Sequence, residues 1–156
     1  MRFSLCVVGR LRAGPERDLI DDYLTRFDRT GRALGLGPAK VIEVEDKKGG
    51  GSAAEAVLLR KAIPEGAMIV TLDERGKLMT SPEFANKLAG WRDNSQRDLA
   101  FLIGGADGIA PDLRAEADFS LSFGKMVWPH MLARVMVCEQ LYRASNILAS
   151  GPYHRA

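Results

Sequence analysis

The feature that most constrains this chain is a repeated alternation. Short apolar runs recur from one end to the other, and the stretches between them carry helix signals. Phe3–Val8 (FSLCVV), Val41–Val44 (VIEV), Met68–Leu72 (MIVTL), Leu99–Ile103 (LAFLI) and Phe119–Phe123 (FSLSF) are short, rich in β-forming residues and bounded by glycine, proline or charged residues. Runs of that length and composition read as strands. Pro15 opens a helix whose Leu19, Ile20, Tyr23, Leu24 and Phe27 fall at helical spacing, until Gly31, Gly35 and Gly37 break it. The charged, glycine-rich segment 46–52 (DKKGGGS) reads as a mobile loop. Ser52 and Glu55 have the spacing of a capping box for a second helix to about Ile63. A turn through Asp73, Glu74, Arg75 and Gly76 follows the third strand. Ser81-Pro82-Glu83 then supplies a cap, a first-turn proline and an early acid for a helix to about Arg92. A short helix is expected from Pro111 to Ala117, and a long one from near Pro129 to about Ala149. Strands alternating with helices predict one α/β domain over residues 1–156, a mostly parallel sheet flanked by helices. Ligands of such sheets bind beyond the carboxyl ends of the strands, where Leu72-Asp73, Gly104-Gly105 and the segment after Phe123 gather.

Several function classes are disfavoured. No segment approaches the roughly 20 apolar residues of a membrane span, and Arg10 and Arg12 interrupt the apolar start, so no signal peptide is expected. Cys6 and Cys138 sit in apolar runs without metal spacing and read as buried thiols in a reducing compartment, here the cytoplasm. With His130 and His154 far apart in sequence, no metal site is expected. The first strand is followed by VGRLRAG rather than a dinucleotide fingerprint, and Gly124-Lys125 by Met126 rather than the Ser or Thr of a phosphate loop. The formal net charge is only +2. From Lys125 onward, however, Lys125, Arg134, Arg143 and Arg155 face a single acid, Glu139, a bias that suits either a solvated surface or nucleic acid.

Three segments carry the candidate chemistry. The loop Gly104-Gly105-Ala106-Asp107-Gly108 is either a tight strand-to-helix turn or a place where backbone meets a ligand. Leu72, Phe123, Met126 and Trp128 are either core residues or an apolar slot for a purine ring. Tyr153, His154 and Arg155 end the chain with a ring, an imidazole and a guanidinium, either frayed or suited to stacking on a base, moving a proton and holding a phosphate. The last helix is apolar over a wide arc, including Met131, Leu132, Val135, Met136, Val137, Leu141 and Tyr142. That arc fits either the monomer core or a homodimer contact.

The stretches VTLDERGK, FLIGGADG and LSFGKMVWPHMLARVMVCEQLYRASNILASGPYHR closely resemble the ribosomal RNA large-subunit methyltransferase H family of the SPOUT superfamily, over essentially the whole chain. The resemblance implies an α/β fold with a C-terminal trefoil knot of SPOUT type. It implies a homodimer and S-adenosylmethionine as methyl donor, without a metal. The implied acceptor is N3 of a pseudouridine in large-subunit (23S) rRNA, within an assembled ribosome. The family's cofactor positions map onto Leu72, Gly104, Phe123, Gly124, Lys125, Met126, Val127 and Trp128, and Tyr153, His154 and Arg155 face the RNA. Displacement at a sulfonium methyl requires alignment of the reactants and loss of the imide proton. His154 is a candidate base, Arg134 or Arg155 a candidate for stabilising the developing anion, and His130 with Arg134 the alternative pair if the tail is a bystander. The other activities weighed are ribose 2′-O methylation and a non-catalytic role as an RNA-binding ribosome-assembly factor.

Overall fold

A computed structural model describes residues 1–155. Five strands, β1 (Arg2–Val8), β2 (Ala39–Val44), β3 (Met68–Lys77), β4 (Asp98–Ile103) and β5 (Phe119–Leu121), form one sheet in the order β2-β1-β4-β3-β5. Every pairing is parallel. Between them lie α1 (Pro15–Gly31), α2 (Gly51–Ala62), α3 (Ser81–Asp93) and α4 (Pro111–Ala115), and α5 (His130–Leu148) follows β5.

Period-two alternation divides the core into two layers. Phe3, Leu5 and Val7 of β1 and Leu99, Phe101 and Ile103 of β4 face one layer, with Phe27 of α1, Leu88 of α3 and Leu141 of α5. Cys6, Ala100 and Leu102 face the other, with Leu59 of α2 and Leu113 of α4. Because both faces are covered, β1 and β4 are buried on both sides and mostly apolar, with Ser4 the one polar residue buried within them. Burial pushes the Cys6 thiol up to about 11 and that of Cys138 to about 12, so neither is a thiolate near neutrality.

The structure corrects several local expectations. Ser52 and Glu55 do not cap α2, because Gly50 occupies the cap position and Ser52 already lies inside the helix. The Asp46 carboxylate instead accepts hydrogen bonds from the backbone of Lys48 and Gly50 and shapes the entry. The cap of α3 is Thr80, in a reciprocal box with Glu83, and the Ser81 hydroxyl donates to Gln140 at 2.8 Å, tying α3 to α5. Asp73–Gly76 is not a simple turn: β3 runs on to Lys77 with an irregularity, so that both Leu72 and Lys77 align with Leu121 of β5. Gly76 is required there, since a Cβ would lie 2.7 Å from the backbone of Ser120. Correspondingly β5 stops at Leu121, not Phe123. The Ser122 amide donates to Lys77 O, and its hydroxyl donates to Glu74 O and accepts from the Gly124 amide. α4 ends at Ala115, two residues early.

Candidate active site

The carboxyl ends of β3, β4 and β5 enclose a cavity of about 670 Å³. That volume is in the range of small-ligand and cofactor sites. Its apolar walls include Leu72, Ile103, Leu121 and Phe123, while Met126, Val127 and Trp128 form a lip. Of the positions implied by the resemblance, Leu72, Gly104, Phe123, Gly124, Met126, Val127 and Trp128 line it, whereas Lys125 lies on the same segment but outside the lining. Asp73, Gly105 and Asp107, from the strand-end segments expected to meet a ligand, line it too, and so do Glu74, Arg75 and Ile109, which the sequence reading does not single out as ligand positions. A signal for them existed, because each neighbours a loop at a strand's carboxyl end.

Gly104 lets the β4 loop fold back on itself. A Cβ there would lie 2.5 Å from the Gly108 carbonyl carbon and 2.8 Å from the Ile109 nitrogen. The loop is closed by a Gly108 N–H to Gly105 O bond of 3.0 Å. On the β3 side, Arg75 holds Asp73 through its guanidinium at 2.9 Å and its backbone amide at 2.8 Å. Burial raises the Asp73 pKa, but those hydrogen bonds outweigh it and, with the charges of Arg75 and Arg114, hold the carboxyl below its usual range. Glu74 and Asp107 have no ion-pair partner among the described residues. A carboxylate-rimmed apolar cavity suits a partly apolar cation better than a phosphate.

His130, the first residue of α5, also lines the cavity. Its Nδ1 is buried without a hydrogen-bond partner. Burial, and then the charge of Arg134, lower its pKa, so the ring is neutral near pH 7. Arg134, one turn on, is 1% exposed and does not line the cavity. Its guanidinium donates to Glu43 at 3.2 Å, Val8 O at 3.2 Å and Gly9 O at 3.1 Å. Arg134 therefore fastens α5 to the ends of β1 and β2.

The tail lies elsewhere on the same helix and is not frayed. Tyr153 packs on Tyr142, with centroids 4.6 Å apart, and donates to Glu139 at 2.9 Å. Its amide donates to Asn146, and Arg143 lies over its ring. Arg143 also contacts His154 Nδ1 at 3.2 Å; guanidinium only donates, so Nδ1 accepts and a neutral ring carries its proton on Nε2. Burial, then hydrogen bonding to Glu139 and Tyr23, raise the Tyr153 phenol well above its ordinary value. Arg155 is exposed. The helix positions that hold Tyr153 are 139 to 146, roughly 14 to 24 Å along the axis from His130 at 1.5 Å per residue. Within one chain the tail and the cavity are thus separated.

The wide apolar arc of α5 is shared between two surroundings. Val135, Val137, Cys138, Leu141 and Ala144 are core, whereas Met131 and Leu132 are exposed beside Met126, Val127 and Trp128, with Val127 at 83%.

An all-parallel α/β sheet with a folded-back glycine loop and a carboxylate-rimmed cavity at its carboxyl edge defines an α/β protein with its ligand site at the carboxyl ends of the strands. The family model described as "Predicted SPOUT methyltransferase" matches residues 1–154, and the chain belongs to that family. Among curated relatives it is similar to the Ribosomal RNA large subunit methyltransferase H proteins of Ruegeria sp. (strain TM1040), 72% identical, and of Dinoroseobacter shibae, 74% identical. Each alignment covers 99% of this chain and 99% of the relative. Among solved structures, a probable methylase family protein from Haemophilus influenzae Rd KW20 superposes with a TM-score of 0.52 at 13% identity. It covers 99% of this chain and 70% of that one, a likeness of fold alone.

Proposed function

We propose that this protein transfers the methyl group of S-adenosylmethionine to N3 of a pseudouridine in large-subunit ribosomal RNA. The observation that carries this reading is the full-length identity of 72–74% to proteins named for large-subunit rRNA methylation. The cavity fits the cofactor. Apolar walls at Leu72, Leu121 and Phe123 suit a purine, the Gly104–Gly108 loop offers backbone without side-chain bulk, and Glu74 and Asp107 favour a cation. When bound, the sulfonium supplies an electrophilic methyl group, so the protein's work is alignment, exclusion of water and removal of the imide proton. Neutral His130, at the cavity, is the proton acceptor that one chain supplies by itself.

A second copy completes the site. Met126, Val127 and Trp128 of the cavity lining and Met131 and Leu132 in the first turn of α5 are exposed apolar residues, and a homodimer that buries them carries the partner's tail toward this cavity. In that arrangement Tyr153 and His154 contact the target base, and Arg155 its phosphate. The reading also takes the return of residues 73–77 around Leu121 and Ser122 as one wall of the loop through which a SPOUT chain threads. No helix is long and apolar enough to cross a membrane, and the ribosomal substrate puts the enzyme in the cytoplasm. Among the described residues no cluster is placed to hold a metal ion, and the displacement requires none. Mass mapping of 23S rRNA from ribosomes incubated with the protein and cofactor tests the proposal. A new methyl on the base of a pseudouridine is expected, whereas a methyl on ribose, or cofactor binding without transfer, overturns it.

A further inference from the structure

The carboxyl edge of the sheet is divided by charge. The cavity half, over β4, β3 and β5, presents Asp73, Glu74 and Asp107 with Arg75, itself engaged by Asp73. The other half, at the ends of β1 and β2, presents Arg10, Arg12, Lys47 and Lys48, all exposed. Arg12, Lys47 and Lys48 have no ion-pair partner among the described residues, and Arg10 meets only the exposed Glu45, at 3.3 Å. Of the other acids here, Asp46 is turned onto its own loop's amides, Glu43 is taken by the Leu11 amide and Arg134, and Glu55 sits at the boundary beside Gly105.

The loop after β1 is held in place. The Leu11 amide donates to Glu43 at 2.6 Å, and Glu43 also takes Arg134, which grips the Val8 and Gly9 carbonyls. It also abuts the cavity, since a Cβ on Gly9 would lie 3.8 Å from the His130 ring. A polyanion is repelled by the acids on the β3 side and finds exposed cations, two of them on a backbone held in place, on the β1 side.

We propose that Arg10 and Arg12, flanked by Lys47 and Lys48, form the rail on which the rRNA backbone lies as its target base enters the cavity past His130. Phosphate contacts of this kind position a strand without reading its sequence. The Arg134–Glu43 pair is the positioning element beneath the rail. The inference rests on the proposed activity, and its test keeps the two separable.

The test compares wild-type protein with the double variant Arg10→Gln/Arg12→Gln in methyl transfer to ribosomes over a range of salt concentrations, with cofactor affinity measured by calorimetry. The variant should bind cofactor normally and keep its turnover at saturation. Its KM for ribosomes should rise on the order of tenfold, and the log–log salt slope should fall by about two, one per arginine lost. Arg10→Lys/Arg12→Lys should retain most of the slope. Arg29→Gln/Arg32→Gln, at the far end of α1, should change neither quantity. An unchanged KM, or a raised KM with an unchanged salt slope, overturns the rail. Should wild-type protein bind cofactor yet transfer no methyl, the proposed activity falls, and ribosome cosedimentation with the same variants still decides whether the rail exists.

Discussion

Gly104 is the position where one methyl group should do most damage to the site. A Cβ at Gly104 points into its own loop, 2.5 Å from the Gly108 carbonyl carbon, 2.7 Å from its oxygen and 2.8 Å from the Ile109 nitrogen. Optimal carbon contacts lie near 3.5–4.0 Å, so alanine is too close by about 1 Å to atoms that are all backbone. Overpacking of this kind costs about 1–3 kcal/mol, and rigid neighbours put Gly104→Ala near the top of that range. The loop has two responses. If it keeps its shape, the cost of about 3 kcal/mol appears as lost stability, a fall in Tm of roughly 6–12 °C for a chain of this size. If it opens, the cost falls on cofactor affinity, up to roughly 100-fold in Kd at 1.4 kcal/mol per tenfold. Calorimetry with S-adenosylmethionine and thermal unfolding of the same preparation measure both shares. Gly90→Ala is the internal control, because Gly90 lies in α3 with nothing within 4 Å of its Cβ position. It should be neutral or stabilising by up to about 1 kcal/mol. A Gly104→Ala protein with wild-type Tm and wild-type cofactor affinity would refute the reasoning.

Arg134→Leu removes the donors to Glu43 and two half-buried carbonyls, and should cost about 3 kcal/mol in denaturant unfolding; a loss under 1 kcal/mol would show the network to be dispensable. Deleting residues 153–156 removes the Tyr153–Glu139 hydrogen bond and the Tyr142 contact, so stability should drop by roughly 2 kcal/mol. Cofactor affinity should persist and methyl transfer should collapse. Mixing the truncated chain with Gly104→Val should restore part of the activity if the tail serves a partner's cavity, and no recovery in verified mixed dimers counts against the shared site. Because the His130 pKa is lowered in the folded state, the unfolded chain binds the extra proton first. His130 therefore contributes stability in full above pH 6.5, and this fades as pH falls from there toward its folded value. The rate should hold its plateau to below pH 6.5 before falling, and His130→Gln should lower it on the order of 100-fold or more. An acid limb at or above 6.5 excludes His130 as the titrating base.

What the sequence alone determined is what repeats locally. The β-forming runs FSLCVV and LAFLI and the helical spacing of Leu19, Ile20, Tyr23, Leu24 and Phe27 placed five strands and five helices within a few residues, because period and propensity are properties of neighbours. The glycine-bearing loop after β4 and the run Phe123–Trp128 were legible as candidate site segments for the same reason, since parallel strands collect their ligands at one edge. The local caps were less legible: Ser52 and Ser81 had suitable chemistry, but Gly50 and Thr80 held the positions at which backbone donors were free. Tertiary structure alone decided the order β2-β1-β4-β3-β5, the extension of β3 to Lys77 against Leu121, and the burial of Arg134 against Glu43 of β2 and Val8 of β1, 91 and 126 residues away in sequence. It also decided that the tail lies on Glu139, Tyr142 and Arg143 rather than in the solvent or in its own cavity. Each of these is a contact whose free energy depends on which surfaces the folded sheet and helices leave adjacent, and no periodicity along the chain encodes that adjacency.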